Sequence, residues 1–218
     1  MIEKEKVLDY IKNEKILVIV RGVEEDSLSP LFNSLYDGGI RVAEIAFGDD
    51  TDEQTAGRIA ALALEFGNKM LVGAGTVTDI NRASLAVKAG AAFLVSPVFD
   101  EEVALFCKEQ GVVYVAGAFT PTEIKRATCG GADIVKLFPA SFAGADYLKA
   151  VLAPLKGTLV LAFGGITADN APSFIKAGAT GVGVGADVVN LDAIRRGDYD
   201  EITKRAQKFC KAVAQSLL

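Results

Sequence analysis

The stretch "KAGAAFLVSP", residues 88–97, decides the fold. An amphipathic segment stops at Gly90, an apolar run of strand length follows, and Ser96-Pro97 closes it. That is the cadence of a helix delivering the chain into a buried strand. The opening "KAGA" recurs at 176–179, and "CGGA" stands at 129–132 between the two. Each precedes an apolar run, so the unit is a repeat.

Working outward, strand-length apolar runs occur at "ILVIV" (16–20), "IRVAEIAF" (40–47), "KMLVGAG" (69–75), "AAFLVS" (91–96), "VVYVAG" (112–117), "ADIVKLF" (132–138), "TLVLAF" (158–163) and "TGVGVG" (180–185). Helix-length amphipathic segments separate them. Glycines at 38–39, 67, 90, 111, 130–131, 157 and 178 mark the strand entrances, where each helix is expected to end on a left-handed residue. Strict alternation predicts an α/β fold with a parallel sheet, and eight units in 218 residues predict closure into a (β/α)8 TIM barrel, residues 1–218 forming one domain. An open doubly wound sheet is the alternative, but "GAGTVT" (73–78) carries Thr78 where a dinucleotide fingerprint needs its third glycine. Val7, Leu8 and Ile11 share one helical face and predict an extra N-terminal helix over the barrel's N-terminal mouth.

Composition excludes several function classes. The net charge is −5 with no basic block, so nucleic acid is not an expected partner. Three cysteines without C-x-x-C spacing predict neither a disulfide framework nor a zinc site. The charged N-terminus and the absence of an apolar run near ~18 residues predict no export signal, no membrane segment and a cytoplasmic location. There is no histidine, so acid–base work falls to carboxylates, lysine, tyrosine or water.

Barrel active sites lie at the C-terminal ends of the strands. Two charges interrupt those ends: Glu44 in "RVAEIAF" and Lys136 in "DIVKLF". Burial lowers an amine's pKa, and a neutral amine attacks carbonyls to give a protonated Schiff base, an electron sink for breaking an adjacent C–C bond. A snorkelling or salt-bridged lysine is the competing reading. Burial raises a carboxyl's pKa toward neutrality, which suits Glu44 to proton shuttling; a salt bridge to Lys136 or Arg21 is the competing reading there. "FGGITADN" after strand 7 and "GVGVGAD" after strand 8 offer backbone N–H groups for an anion such as phosphate, against a plain strand-to-helix turn.

In these pieces the chain resembles the 2-keto-3-deoxy-6-phosphogluconate (KDPG) and 4-hydroxy-2-oxoglutarate (KHG) aldolase family of class I enzymes. The matching motifs are "IVRG" (19–22), "GGIRVAEI" (38–45), "VGAGTV" (72–77), "SP" (96–97), "TPTE" (120–123), "VKLFPA" (135–140) and "GGI" (164–166). The resemblance implies Lys136 as Schiff-base lysine and Glu44 as general acid/base, with Thr76, Pro97, Thr120 and Phe138 in the substrate pocket. It implies phosphate at Gly164, Gly165 and Gly185, a small keto-acid substrate, no metal or cofactor, and a homotrimer. The chain departs from the family pattern at Gly48, where many members carry a carboxylate-binding arginine, and is followed there by Asp49 and Asp50; Arg21 is the expected substitute. It departs again at Phe163 and Ala186, where hydroxyl side chains are usual; backbone N–H groups still offer a phosphate site, and Phe163 points to a less polar or non-phosphorylated substrate tail as the alternative. The expected reaction is reversible cleavage of a 2-keto-3-deoxy sugar acid to pyruvate and an aldehyde. A phosphosugar isomerase or synthase without Schiff-base chemistry, and a non-catalytic sugar-acid binding protein, are the alternatives.

Overall fold

A computed structural model describes residues 2–48 and 50–217. The elements run α1 (Lys4–Glu14), β1 (Ile16–Val20), α2 (Glu25–Asp37), β2 (Val42–Ala46), α3 (Asp52–Phe66), β3 (Leu71–Gly75), α4 (Ile80–Lys88), β4 (Phe93–Val95), α5 (Glu101–Gln110) and β5 (Val113–Ala118). They continue α6 (Pro121–Gly130), β6 (Ile134–Leu137), α7 (Ala140–Ala143), α8 (Ala145–Leu152), β7 (Val160–Phe163), α9 (Ala171–Lys176), β8 (Gly181–Val184), α10 (Leu191–Arg195) and α11 (Tyr199–Gln215). The strands form a closed barrel in sequence order, and β8 returns parallel to β1 with Leu17 opposite Gly183.

The strands are apolar on both faces, since a parallel strand must be covered inside and out. Outward side chains such as Val18, Ala43, Leu94 and Val135 pack under the helices. Inward ones, among them Leu17, Phe93, Val115, Ile134, Leu161 and Phe163, form a second cluster inside the barrel. Helix α1 enters that inner cluster through Val7 and Ile11, each 2% exposed, and so plugs the N-terminal mouth; Leu8 packs at its edge. Burying each of these two side chains contributes about 1.5–3 kcal/mol.

Six of the eight strands are shorter than their apolar runs, because the first residues of several runs still serve the preceding turn. Asp133, inside the run 132–138, precedes β6 and accepts a hydrogen bond from Tyr114 N through Oδ2 at 2.8 Å. Not every entrance glycine is left-handed. Gly111 (φ 67°) and Gly131 (φ 110°) are, whereas Gly38 caps α2 at φ −77° and Gly67 caps α3 at φ −56°. Gly38 has a different reason to be glycine, because a Cβ there would overlap Ala206 of α11.

Candidate active site

All the expected site residues lie at or just beyond the C-terminal ends of the strands. Glu44 is in β2, opposite Ile19 of β1 and Gly73 of β3; Lys136 is in β6, opposite Gly117 of β5 and Leu161 of β7. Glu44 is 1% exposed and Lys136 8%. A side chain on Gly75 would overlap the Glu44 carboxyl, so this glycine at the end of β3 is what admits an acid to the barrel mouth.

The salt-bridge reading of the two charges is not what the geometry holds. Among the described residues no ion pair within 4.0 Å joins Lys136 to Glu44, and Glu44 Oε2 is buried without a hydrogen-bond partner. A buried, unpartnered carboxyl oxygen is costly unless a substrate or water meets it. Burial pushes Glu44 up to about 7, against the opposing pull of the Lys136 and Arg21 charges. Lys136 is held below the usual ammonium range, first by burial and then by the Arg21 charge, with Glu44 acting the other way. An acid near neutrality beside an amine with weakened proton affinity is what proton exchange at pH 7 requires.

Arg21 follows β1 and donates from Nη2 to Thr76 Oγ1 at 2.6 Å. Its other nitrogen, Nη1, would be 3.0 Å from a Cβ at Gly48. The missing side chain at Gly48 therefore makes the room that the Arg21 guanidinium uses. Asp50 does not oppose an anion in this pocket, because Arg58 of α3 engages its carboxylate; Asp49 lies outside the described residues. Thr76 has φ 58°, a left-handed conformation that a β-branched residue rarely adopts and a strain of about 1–3 kcal/mol. Arg82 of α4 braces this turn, donating to Thr76 O at 3.3 Å and to Thr78 Oγ1 at 3.2 Å while pairing with Asp52 at 3.1 Å. Arg82 was not singled out from the sequence, where it is one basic residue on an amphipathic helix.

The remaining pocket residues separate into two groups. Pro97 and Phe138 line a cavity of about 320 Å³ with Val98, Gly117 and Phe119. Phe138 is 42% exposed and its ring centroid stands 5.2 Å from Lys136 Nζ. Thr120 is the exposed N-cap of α6, where its Oγ1 accepts from Glu123 N at 3.3 Å; what it has left for a ligand is its O–H.

Gly164, Gly165 and Gly185 line a second cavity of about 440 Å³ together with Ile19, Ala186 and Thr167. Among the described residues, the N–H groups of Gly164, Gly165, Gly185 and Ala186 donate to no backbone acceptor outside the regular elements. They are loop amides rather than first-turn helix amides, because α9 begins only at Ala171 and has 6 residues. Two charged residues not foreseen from the sequence line the same cavity, Asp187 and Arg205. Asp187 Oδ2 accepts from Ala168 N at 2.8 Å, and Arg205 of α11 donates to Asp187 O at 3.2 Å. Phe163 is 1% exposed inside the barrel and does not line this cavity, so its ring gives no apolar wall to a substrate tail at the glycine loops. The described residues contain no cluster of three or more potential metal ligands.

Comparison with known proteins bears on the family and the fold. The family described as KDPG and KHG aldolase matches residues 7–205. The chain is 31% identical over 204 residues to the 2-dehydro-3-deoxy-6-phosphogalactonate aldolase of Escherichia coli strain K12, covering 93% of this chain and 96% of that one. It is 30% identical over 208 residues to a 2-dehydro-3-deoxy-phosphogluconate aldolase of Treponema pallidum strain Nichols, covering 95% and 97%. A solved structure described as native KDPGal superposes with a TM-score of 0.85 at 30% identity, over 93% of this chain and 95% of that one. With the closed eight-stranded barrel and the buried acid and amine at its mouth, these matches lead to one assignment: the chain belongs to the KDPG and KHG aldolase family.

Proposed function

We propose that the protein is a class I aldolase that reversibly cleaves a 2-keto-3-deoxy-6-phospho sugar acid to pyruvate and an aldehyde, with Lys136 as the Schiff-base residue. The observation that carries this reading is a buried Lys136 amine and a buried Glu44 carboxyl at the same end of the barrel, the carboxyl's Oε2 without a partner. Neutral Nζ adds to the substrate C2 carbonyl, Glu44 gives its proton to the departing carbinolamine hydroxyl, and loss of water leaves a protonated imine and a Glu44 carboxylate. Glu44 takes the proton of the C4 hydroxyl, the C3–C4 electron pair flows to the iminium nitrogen, and the aldehyde departs from a pyruvate enamine. Glu44 then returns a proton to C3, and hydrolysis frees pyruvate and the Lys136 amine.

Arg21 binds the substrate carboxylate, a role supported by its seat beside Thr76 and Gly48. Thr76, Pro97, Thr120 and Phe138 surround the keto acid, and the amides of Gly164, Gly165 and Gly185 receive the phosphate, which their lack of backbone acceptors supports. 4-Hydroxy-2-oxoglutarate fits the same keto-acid subsite. The residues 1–218 act as one domain, and the working assembly is a homotrimer, for which exposed Val98, Phe138 and Phe142 beside the mouth supply apolar surface. No described helix is long and apolar enough to cross a membrane, and three free cysteines suit the reducing cytoplasm.

Borohydride reduction in the presence of pyruvate is expected to add one pyruvyl unit at Lys136, read by peptide mass spectrometry. Lys136→Ala is expected to reduce pyruvate release, followed with lactate dehydrogenase, to background. Near-normal cleavage by Lys136→Ala would refute the assignment and leave an isomerase or binding protein standing.

A further inference from the structure

Phe163 ends β7 opposite Gly183 of β8, and its ring occupies the space that any side chain on Gly183 would need. It belongs to the inner barrel cluster, and its centroid lies 4.7 Å from Lys136 Nζ. Phe138 presents a second ring to the same nitrogen at 5.2 Å, but that ring is 42% exposed and partly wet. The charged groups acting on Lys136 are Glu44 from β2 and Arg21 from β1. The neighbouring strand positions, Gly117 on β5, Leu161 on β7 and Gly183 beside the Phe163 ring, carry nothing titratable.

We propose that Phe163 is a positioning residue for the cationic states of Lys136, its buried ring face holding the ammonium and the pyruvyl iminium in place by a cation–π contact. The proposal rests on the Schiff-base reading above and adds to it. Condensation of the neutral amine with a keto group consumes one proton and releases water, so a nitrogen that begins neutral becomes positively charged in a dry cavity. A carboxylate in contact would favour that cation, but it would equally keep the free amine protonated. A ring face attracts the cation more weakly and carries no net charge, so it supports the iminium without abolishing the nucleophile.

The test separates ring electronics from packing. Position 163 is occupied in turn by phenylalanine, 4-fluorophenylalanine and pentafluorophenylalanine through site-specific incorporation, with Phe163→Leu as a ring-free control. Borohydride trapping of pyruvate is followed across pH, and thermal unfolding is recorded alongside. The expected result is a stepwise loss of trapped adduct at fixed pyruvate above the pH midpoint of the Lys136 amine, reaching roughly tenfold at the pentafluoro ring, with that midpoint falling by about one unit and little change in adduct below it, where the resting amine is itself a cation. Phe163→Leu should resemble the pentafluoro protein. A flat series above that midpoint, in proteins that still trap pyruvate at Lys136, overturns the proposal for Phe163 alone. No trapping in the unsubstituted protein overturns it together with the Schiff-base reading.

Discussion

The two mouths of the barrel are made by the same eight strands and are finished in opposite ways. At the N-terminal mouth α1 drives Val7 and Ile11 into the inner cluster, and the nearby cavity is lined by Ala63, Met70, Leu71, Val72 and the glycines at 90 and 111, with no titratable side chain. At the C-terminal mouth Lys136, Glu44 and Arg21 converge, one carboxyl oxygen is unpartnered, and Thr76 is held in a strained turn. The difference teaches how the fold divides its tasks. Apolar burial at one end supplies stability, and the other end spends part of it on buried charge and backbone strain.

That division is broken most severely at Glu44. Glu44→Gln keeps the volume but removes the proton carrier, and turnover should fall by about 10²–10⁴-fold. The same change should stabilise the fold at high pH. Because the folded carboxyl titrates near 7 and the unfolded one near 4.5, the unfolded chain releases its proton first as pH rises, and the native state loses stability between those values. Glu44→Gln and the parent should therefore unfold alike at pH 4, and the variant should be more stable by roughly 3 kcal/mol at pH 8, read by urea denaturation. Equal stability at pH 8 would show that Glu44 is not desolvated.

Arg21→Ala should act on binding more than on chemistry. Loss of a charge-assisted contact predicts a KM for the keto acid raised about 10–100-fold with kcat changed far less, by steady-state kinetics. An unchanged KM would mean that the carboxylate is held elsewhere. The smallest effect on activity belongs to the opposite mouth. Ile11→Ala should cost about 2–5 kcal/mol in unfolding free energy while kcat/KM of the folded protein stays within about twofold. A large drop in kcat/KM would show that the two ends are coupled.

Local signals carried much of this. The repeated helix–glycine–strand cadence is read within a window of about 20 residues, so the eight units and their parallel order were legible. Lys136 and Glu44 were legible for a related reason, since a charge inside an apolar run contradicts its neighbours. The orientation of Phe163 was not, because β7 is apolar on both faces and the inside–outside alternation that would reveal its direction is absent. Nor were the Arg58 contact to Asp50, the Arg82 brace or the place of Arg205 beside the glycine loops, all of which join different elements of the barrel.

The amino-acid order by itself determined the fold class, the strand ends and the two buried charges, because periodicity and the expense of desolvating a charge act on neighbouring residues. The tertiary structure alone decided that Arg21 fills the room left at Gly48, that Glu44 is unpaired, and that the Phe163 ring lies against Lys136. Those relations depend on which residues meet when the barrel closes, and closure is a property of all eight strands together.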